Sequence, residues 1–199
     1  MLAYVFWHWR RQDIAREEYE QRQQRFHAAL RSAPSSGFLS SRSAAISGAP
    51  WAASGREAYE DWYLLEDSAA LDPLNQAAVT APRQVPHDSA AAGADGGTAG
   101  LYHLRRGNVG EEVPTLAAWF SKPIGMGYDQ LFSTVEPLLR SSAGALWCRQ
   151  MVLGPTPEFC LQSSAPVVLP VAITPLVIQL RRIWPSPSPF LGHRHVTSS

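Results

Sequence analysis

The chain has 199 residues, 45% of them hydrophobic, enough for one large domain or two small ones with a real core. Seventeen basic and seventeen acidic residues cancel, so the chain carries no electrostatic footprint for nucleic acid or an anionic membrane. Two cysteines, Cys148 and Cys160, are too few for a disulfide framework and read as buried thiols, and no apolar run reaches bilayer-spanning length.

In chain order, Leu2 to Arg10 is rich in Tyr, Val, Phe and Trp and predicts a strand. Alternation puts Tyr4, Phe6 and His8 on one face and Val5, Trp7 and Trp9 on the other, so both faces are apolar and covered. Asp13 predicts the N-cap of an amphipathic helix running to about Arg31, with Ile14, Tyr19, Phe26 and Leu30 on its packed side. Strands are expected at Phe38 to Ile46 and Tyr59 to Glu66, and a second helix capped by Asp67 or Ser68 running to about Val79. Pro82 to Gly100, made of alanine, glycine and scattered polar residues, reads as a long flexible loop before a strand at Leu101 to Arg105.

The second half opens at Gly107 to Pro114, followed by a strand at Thr115 to Ser121 and a helix around Tyr128 to Glu136, where Pro137 predicts a kink or an early end. A hairpin is expected from Gly144 to Leu153 and Glu158 to Gln162. A closing strand follows at Leu176 to Trp184, and then an irregular tail. Motifs recur across the halves. Tyr19-Glu20-Gln21 with Leu30-Arg31-Ser32 matches Tyr128-Asp129-Gln130 with Leu139-Arg140-Ser141, and Leu104-Arg105-Arg106 matches Leu180-Arg181-Arg182. The repeat predicts a duplication, with units at residues 1–108 and 109–185 and a tail at 186–199.

The opening aromatic strand, the helix ending Leu30-Arg31-Ser32 and the passage Tyr59 to Ser68 resemble, in fused form, the dimeric α+β barrel superfamily. The fold this implies is α+β: two ferredoxin-like β-α-β-β-(α)-β halves closed into one pseudo-two-fold α+β barrel. The resemblance also implies a small-molecule ligand held between sheet and helices or inside the barrel. The expected function is that of a cofactor-independent monooxygenase- or isomerase-like enzyme acting on a hydrophobic or aromatic substrate. The alternatives are a haem protein of the chlorite-dismutase-like kind and a non-catalytic interaction protein.

His8, set between Trp7 and Trp9, and His103, beside Tyr102, are the acid–base candidates, and His8 the axial ligand if haem binds. Arg105 and Arg181 are candidates to hold an anionic group, and Trp7 and Trp62 to line a flat-ligand pocket. No metal site is expected: His193 and His195 lie in the tail and His87-Asp88 in the loop. The remaining expectations are a cytoplasmic monomer or weak homo-oligomer without nucleic-acid or membrane partners.

Overall fold

The computed structural model describes residues 1–53, 55–110, 113–142 and 144–185, the side chains of 141 and 142 excepted. The expected tail at 186–199, with His193 and His195, lies outside the described residues. The elements run β1 (Leu2–Arg10), α1 (Arg16–Ser32), β2 (Phe38–Ile46), β3 (Ala58–Leu65), a short 3-10 turn (Ser68–Ala70), α2 (Leu71–Ala78), α3 (Gln84–Gly93) and β4 (Ala94–Gly107). They continue with β5 (Leu116–Phe120), α4 (Tyr128–Ser142), β6 (Ala145–Arg149), β7 (Phe159–Ser163) and β8 (Leu176–Trp184).

The eight strands form one closed antiparallel barrel in the order β1-β3-β2-β8-β5-β7-β6-β4, with β4 pairing back to β1. This corrects the expected fold class. Two ferredoxin-like halves would keep separate sheets. Here β2 is hydrogen-bonded to β8 and β4 to β6, so one continuous sheet encloses one core and dominates the fold. Full closure leaves no sheet edge exposed for pairing with another chain.

Alternation decides what fills the barrel. Ala3, Val5 and Trp7 of β1, with Trp62 and Leu64 of β3, point inward and meet Tyr102, Trp119, Trp147, Cys160 and Ile178. The indoles of Trp7, Trp62, Trp119 and Trp147 and the ring of Tyr102 touch one another edge-on or tilted, with centroids 5.3 to 6.2 Å apart. Such a cluster buries large apolar area in preferred ring geometries. Glu60 also points inward, 1% exposed, and accepts hydrogen bonds from the indoles of Trp62 (2.9 Å) and Trp7 (3.1 Å). Burial pushes its carboxyl up to about 7, against the two indole donors that favour the charged form.

Several local expectations change. Asp13 does not cap α1; Ala15 stands at that position and Asp13 instead pairs with Arg11. Asp67 does cap the turn before α2, accepting from the Ala69 amide at 2.9 Å. The expected flexible loop at 82–100 is α3 followed by the first half of β4. Its glycine packs where a side chain would not fit: a Cβ added at Gly93 would lie 2.7 Å from the Tyr19 ring. Helix α4 runs through Pro137, held by the buried stripe Leu131, Val135 and Leu139 against the outer face of the barrel. Trp147 pairs with Cys160 and Cys148 with Phe159, so the thiols face opposite sides of the sheet and stay free. Among the described residues no helix is long and apolar enough to cross a membrane.

The matched motifs do not play matched roles. Tyr19 is fully buried, whereas Tyr128 is half exposed and bonds Glu158. The space under α4 is filled by Phe120, Phe159, Leu131 and Val135. The space under the helices of the first half holds a cavity.

Candidate functional site

The cavity, about 410 Å³, lies outside the barrel, between the outer face of β1 and β3 and the helices α1, α2 and α3. Its floor follows from strand parity. Tyr4, Phe6 and His8 project outward from β1, and Asp61 and Tyr63 from β3. Helix α1 supplies Tyr19, Gln23 and Phe26, one helical turn apart on its buried stripe. Helices α2 and α3 form the roof with Leu71, Leu74, Ala78 and Ala90, and the mouth with the exposed Asp72 and Asn75 and the partly exposed His87. Every lining residue lies between positions 4 and 94, and none is Arg or Lys.

A chain of polar groups closes the inner end. The hydroxyl of Tyr19 lies 2.5 Å from Nδ1 of His8, and Nε2 of His8 lies 3.2 Å from Oδ2 of Asp61. The Tyr63 hydroxyl donates to the same oxygen at 3.0 Å. On the far side Nε2 of His27 lies 3.3 Å from Oδ1 of Asp61, and its Nδ1 lies 2.8 Å from the Ser41 hydroxyl. Both histidine–aspartate contacts are close but bent away from ideal hydrogen-bond alignment, as the unpaired status of both Nε2 atoms shows. His8, His27 and Asp61 are each no more than 1% exposed.

The electrostatics follow from that burial. Desolvation opposes ionisation of Asp61, but the His8 and His27 imidazoles override it and hold the carboxyl well below the usual carboxylate range. Burial first, then the Asp61 charge, pushes the Tyr19 and Tyr63 phenols up, so both are O–H donors at neutral pH. The Tyr19 hydroxyl then donates to His8 Nδ1. His8 in turn presents Nε2–H to Asp61, so the carboxylate fixes the tautomer and would balance an imidazolium. The arrangement can take a proton from a molecule in the cavity through Tyr19 to His8, and return it.

The sequence candidates divide sharply. His8 stands at the floor of the cavity. His103 is exposed on β4 and does not line it; partial burial, the Met1 amino group and Arg105 lower its pKa. Arg105 is exposed beside Cys148, and Arg181 is ion-paired with Glu20 on the surface, so neither reaches the cavity to hold an anion. Trp7 and Trp62 face the packed barrel interior, on the wrong side of the sheet for ligand contact. Sequence reasoning missed Asp61, Gln23 and His27 and took Tyr19 for a packing residue. The signal was present: Tyr19, Gln23, Phe26, His27 and Leu30 form one stripe, and two of its five members are polar.

Haem at this site does not fit the geometry, because Nδ1 of His8 is taken by the Tyr19 hydroxyl and Nε2 faces the Asp61 carboxylate at 3.2 Å, which leaves no room for an iron at either nitrogen. Among the described residues no group of three or more His, Cys, Asp or Glu is arranged to hold a metal ion.

No protein-family model matches the chain, and no curated protein matches it either. A solved structure similar to it is that of a protein from Fusobacterium nucleatum subsp. nucleatum, named provisionally as a monooxygenase. The two align with a TM-score of 0.62 over 92% of each chain at 9% sequence identity. At that identity the likeness shows a shared fold.

Proposed function

We propose that the protein binds a small, flat, largely apolar molecule bearing a weakly acidic hydroxyl, and moves a proton on it through Tyr19 and His8. The observation that carries this is the cavity itself: aromatic and aliphatic walls end in one polar cluster that contains a Tyr–His–Asp chain. Deprotonating a hydroxyaromatic or an enol is the opening step both of cofactor-independent oxygenation and of isomerisation. The structural neighbour named as a monooxygenase supports the first of these. Asp61 balances the charge that His8 gains. The cavity, with no Arg or Lys in its lining, selects a neutral ligand over a carboxylate or phosphate.

The test uses 4-nitrophenol, whose absorbance reports its ionisation. Wild-type protein should bind it and shift its spectrum. Ala90→Phe, which places a ring in the cavity from α3, should abolish binding, and Tyr19→Phe should retain binding but lose the ionisation signal. Equal binding by Ala90→Phe, confirmed folded by circular dichroism, would sink the proposal.

A further inference from the structure

Removing a proton from a ligand hydroxyl leaves a negative oxygen at the inner end of the cavity, and that charge needs donors. None of the lining residues is Arg or Lys, and the buried carboxylate there, Asp61, has the wrong sign. The oxygen must therefore be held by neutral N–H or O–H groups, as in an oxyanion hole built from side chains.

Most of the polar lining is already committed. The Tyr63 hydroxyl donates to Asp61, and the His8 ring lies between Tyr19 and Asp61. Tyr4 stands four residues from His8 along β1, about 13 Å away at the other end of the floor. Asp72, Asn75 and His87 are at the mouth, where His87 bonds Asp88. Gln23 differs from all of these. It follows Tyr19 by one turn on the buried stripe of α1, lines the cavity and is only 4% exposed. Its amide is near enough to the Tyr19 phenol to favour the ionised form, so the two groups sit side by side. Among the described residues it has no other hydrogen-bonding partner, which leaves at least one of its two N–H groups unspent. A carboxamide buried this deeply with an unspent donor is costly unless something in the cavity takes it up.

We propose that Gln23 is a catalytic residue whose Nε2–H donates to the ligand oxygen as that oxygen loses its proton to Tyr19. This rests on the reading of Tyr19 and His8 as the proton path. The step breaks one O–H bond in the ligand and forms one on Tyr19, while the proton that Tyr19 held moves to His8 Nδ1. No electrons are gained or lost. Tyr19, neutral again, turns its new O–H to the ligand oxyanion beside the Gln23 N–H, so two donors hold the charge. A hydrogen bond to a charged oxygen is about twice as strong as one to a neutral oxygen, so Gln23 favours the ionised ligand over the neutral one.

The test is the ionisation of 4-nitrophenol bound to the full chain, titrated by absorbance in the wild type and in Gln23→Met. Methionine keeps the length of the side chain and removes the donor. The midpoint should rise by about one pH unit or more in the variant, which is about a tenfold loss of the ionised form. 4-Nitroanisole, whose ether oxygen has no proton to give, should bind both proteins equally. An unmoved midpoint would overturn the proposal. So would equal weakening of both probes, which would make Gln23 a wall residue only. A wild type that fails to bind or to ionise 4-nitrophenol would remove the proposed function, and this inference with it. The NMR signal of the Gln23 side-chain amide in the wild type needs no variant. One Nε2 proton should move downfield with 4-nitrophenol and less with 4-nitroanisole, and an amide that does not move would overturn the proposal.

Discussion

Replacing Asp61 with asparagine should cost far more than the loss of one hydrogen bond. The carboxylate is the shared partner of His8 Nε2 at 3.2 Å, His27 Nε2 at 3.3 Å and the Tyr63 hydroxyl at 3.0 Å, and its side chain is 2% exposed. An asparagine keeps one acceptor oxygen and turns an amide N–H toward groups that are themselves donors. Breaking a buried ionic cluster by removing one partner typically costs about 3–5 kcal/mol. In a chain of this size that is a fall in Tm of about 10 °C. The pH dependence is the sharper signature. In the wild type the depressed carboxyl gives stability that is fully present above the unfolded carboxylate value and lost only as the pH falls through the lower folded value. In Asp61→Asn a proton arriving at either sealed imidazole has no counter-charge, whereas the unfolded chain binds it freely. The variant should therefore lose stability between pH 8 and pH 5, at up to about 1.4 kcal/mol per pH unit for each histidine excluded from protonation. Urea unfolding at pH 8, 6.5 and 5, followed by tryptophan fluorescence, measures both quantities. A variant within about 1 kcal/mol of wild type, with a parallel pH dependence, would refute the view that the cluster is a charged unit.

Glu60 predicts the opposite slope. Its carboxyl is raised from 4.5 to about 7, so its contribution is fully present below the unfolded value and is lost as the pH rises through 7. Glu60→Gln should flatten that part of the profile and stabilise the barrel at pH 8 by roughly 3 kcal/mol, less whatever the poorer indole acceptor costs. Tyr19→Phe removes the 2.5 Å partner of His8 from a buried site and should lower stability by about 1–3 kcal/mol in denaturant titrations. The pair His103→Ala and Arg181→Ala should change stability by no more than about 1 kcal/mol. Their 4-nitrophenol affinity should equal wild type, because one side chain is exposed away from the cavity and the other is a surface ion pair. Adding a carboxylate to the probe, as in 4-hydroxybenzoate, should weaken binding measured by calorimetry, since no cation in the lining would receive it.

Much of the strand pattern was legible because alternation is a local property. Tyr4, Phe6 and His8 do share one face of β1, and in the structure that face forms the floor of the cavity. Closure was not legible in the same way. The β2–β8 and β4–β6 ladders join residues more than a hundred and about forty positions apart, respectively, and no local pattern records them. That is why the expectation was a barrel assembled from two ferredoxin-like halves, where one continuous eight-stranded sheet closes on itself. The segment at 82–100 misled for a different reason. Alanine and glycine read as unable to pack, yet the close approach of α3 to Tyr19 requires small residues. Trp7 and Trp62 read in the sequence as lining for a flat ligand. Bulk here fills the barrel core, and the cavity side of the sheet is marked instead by polar residues on otherwise apolar faces: Gln23 on α1, and Asp61 between Tyr59 and Tyr63 on β3.

The most direct test is a crystal structure of the protein soaked with 4-nitrophenol. The ring should lie between Phe6, Phe26 and Leu74, with its oxygen at hydrogen-bonding distance from the Tyr19 hydroxyl. A probe found elsewhere, or in the cavity with its oxygen turned to the mouth at Asp72 and Asn75, would contradict the assignment of Tyr19 and His8 as the reacting end of the site.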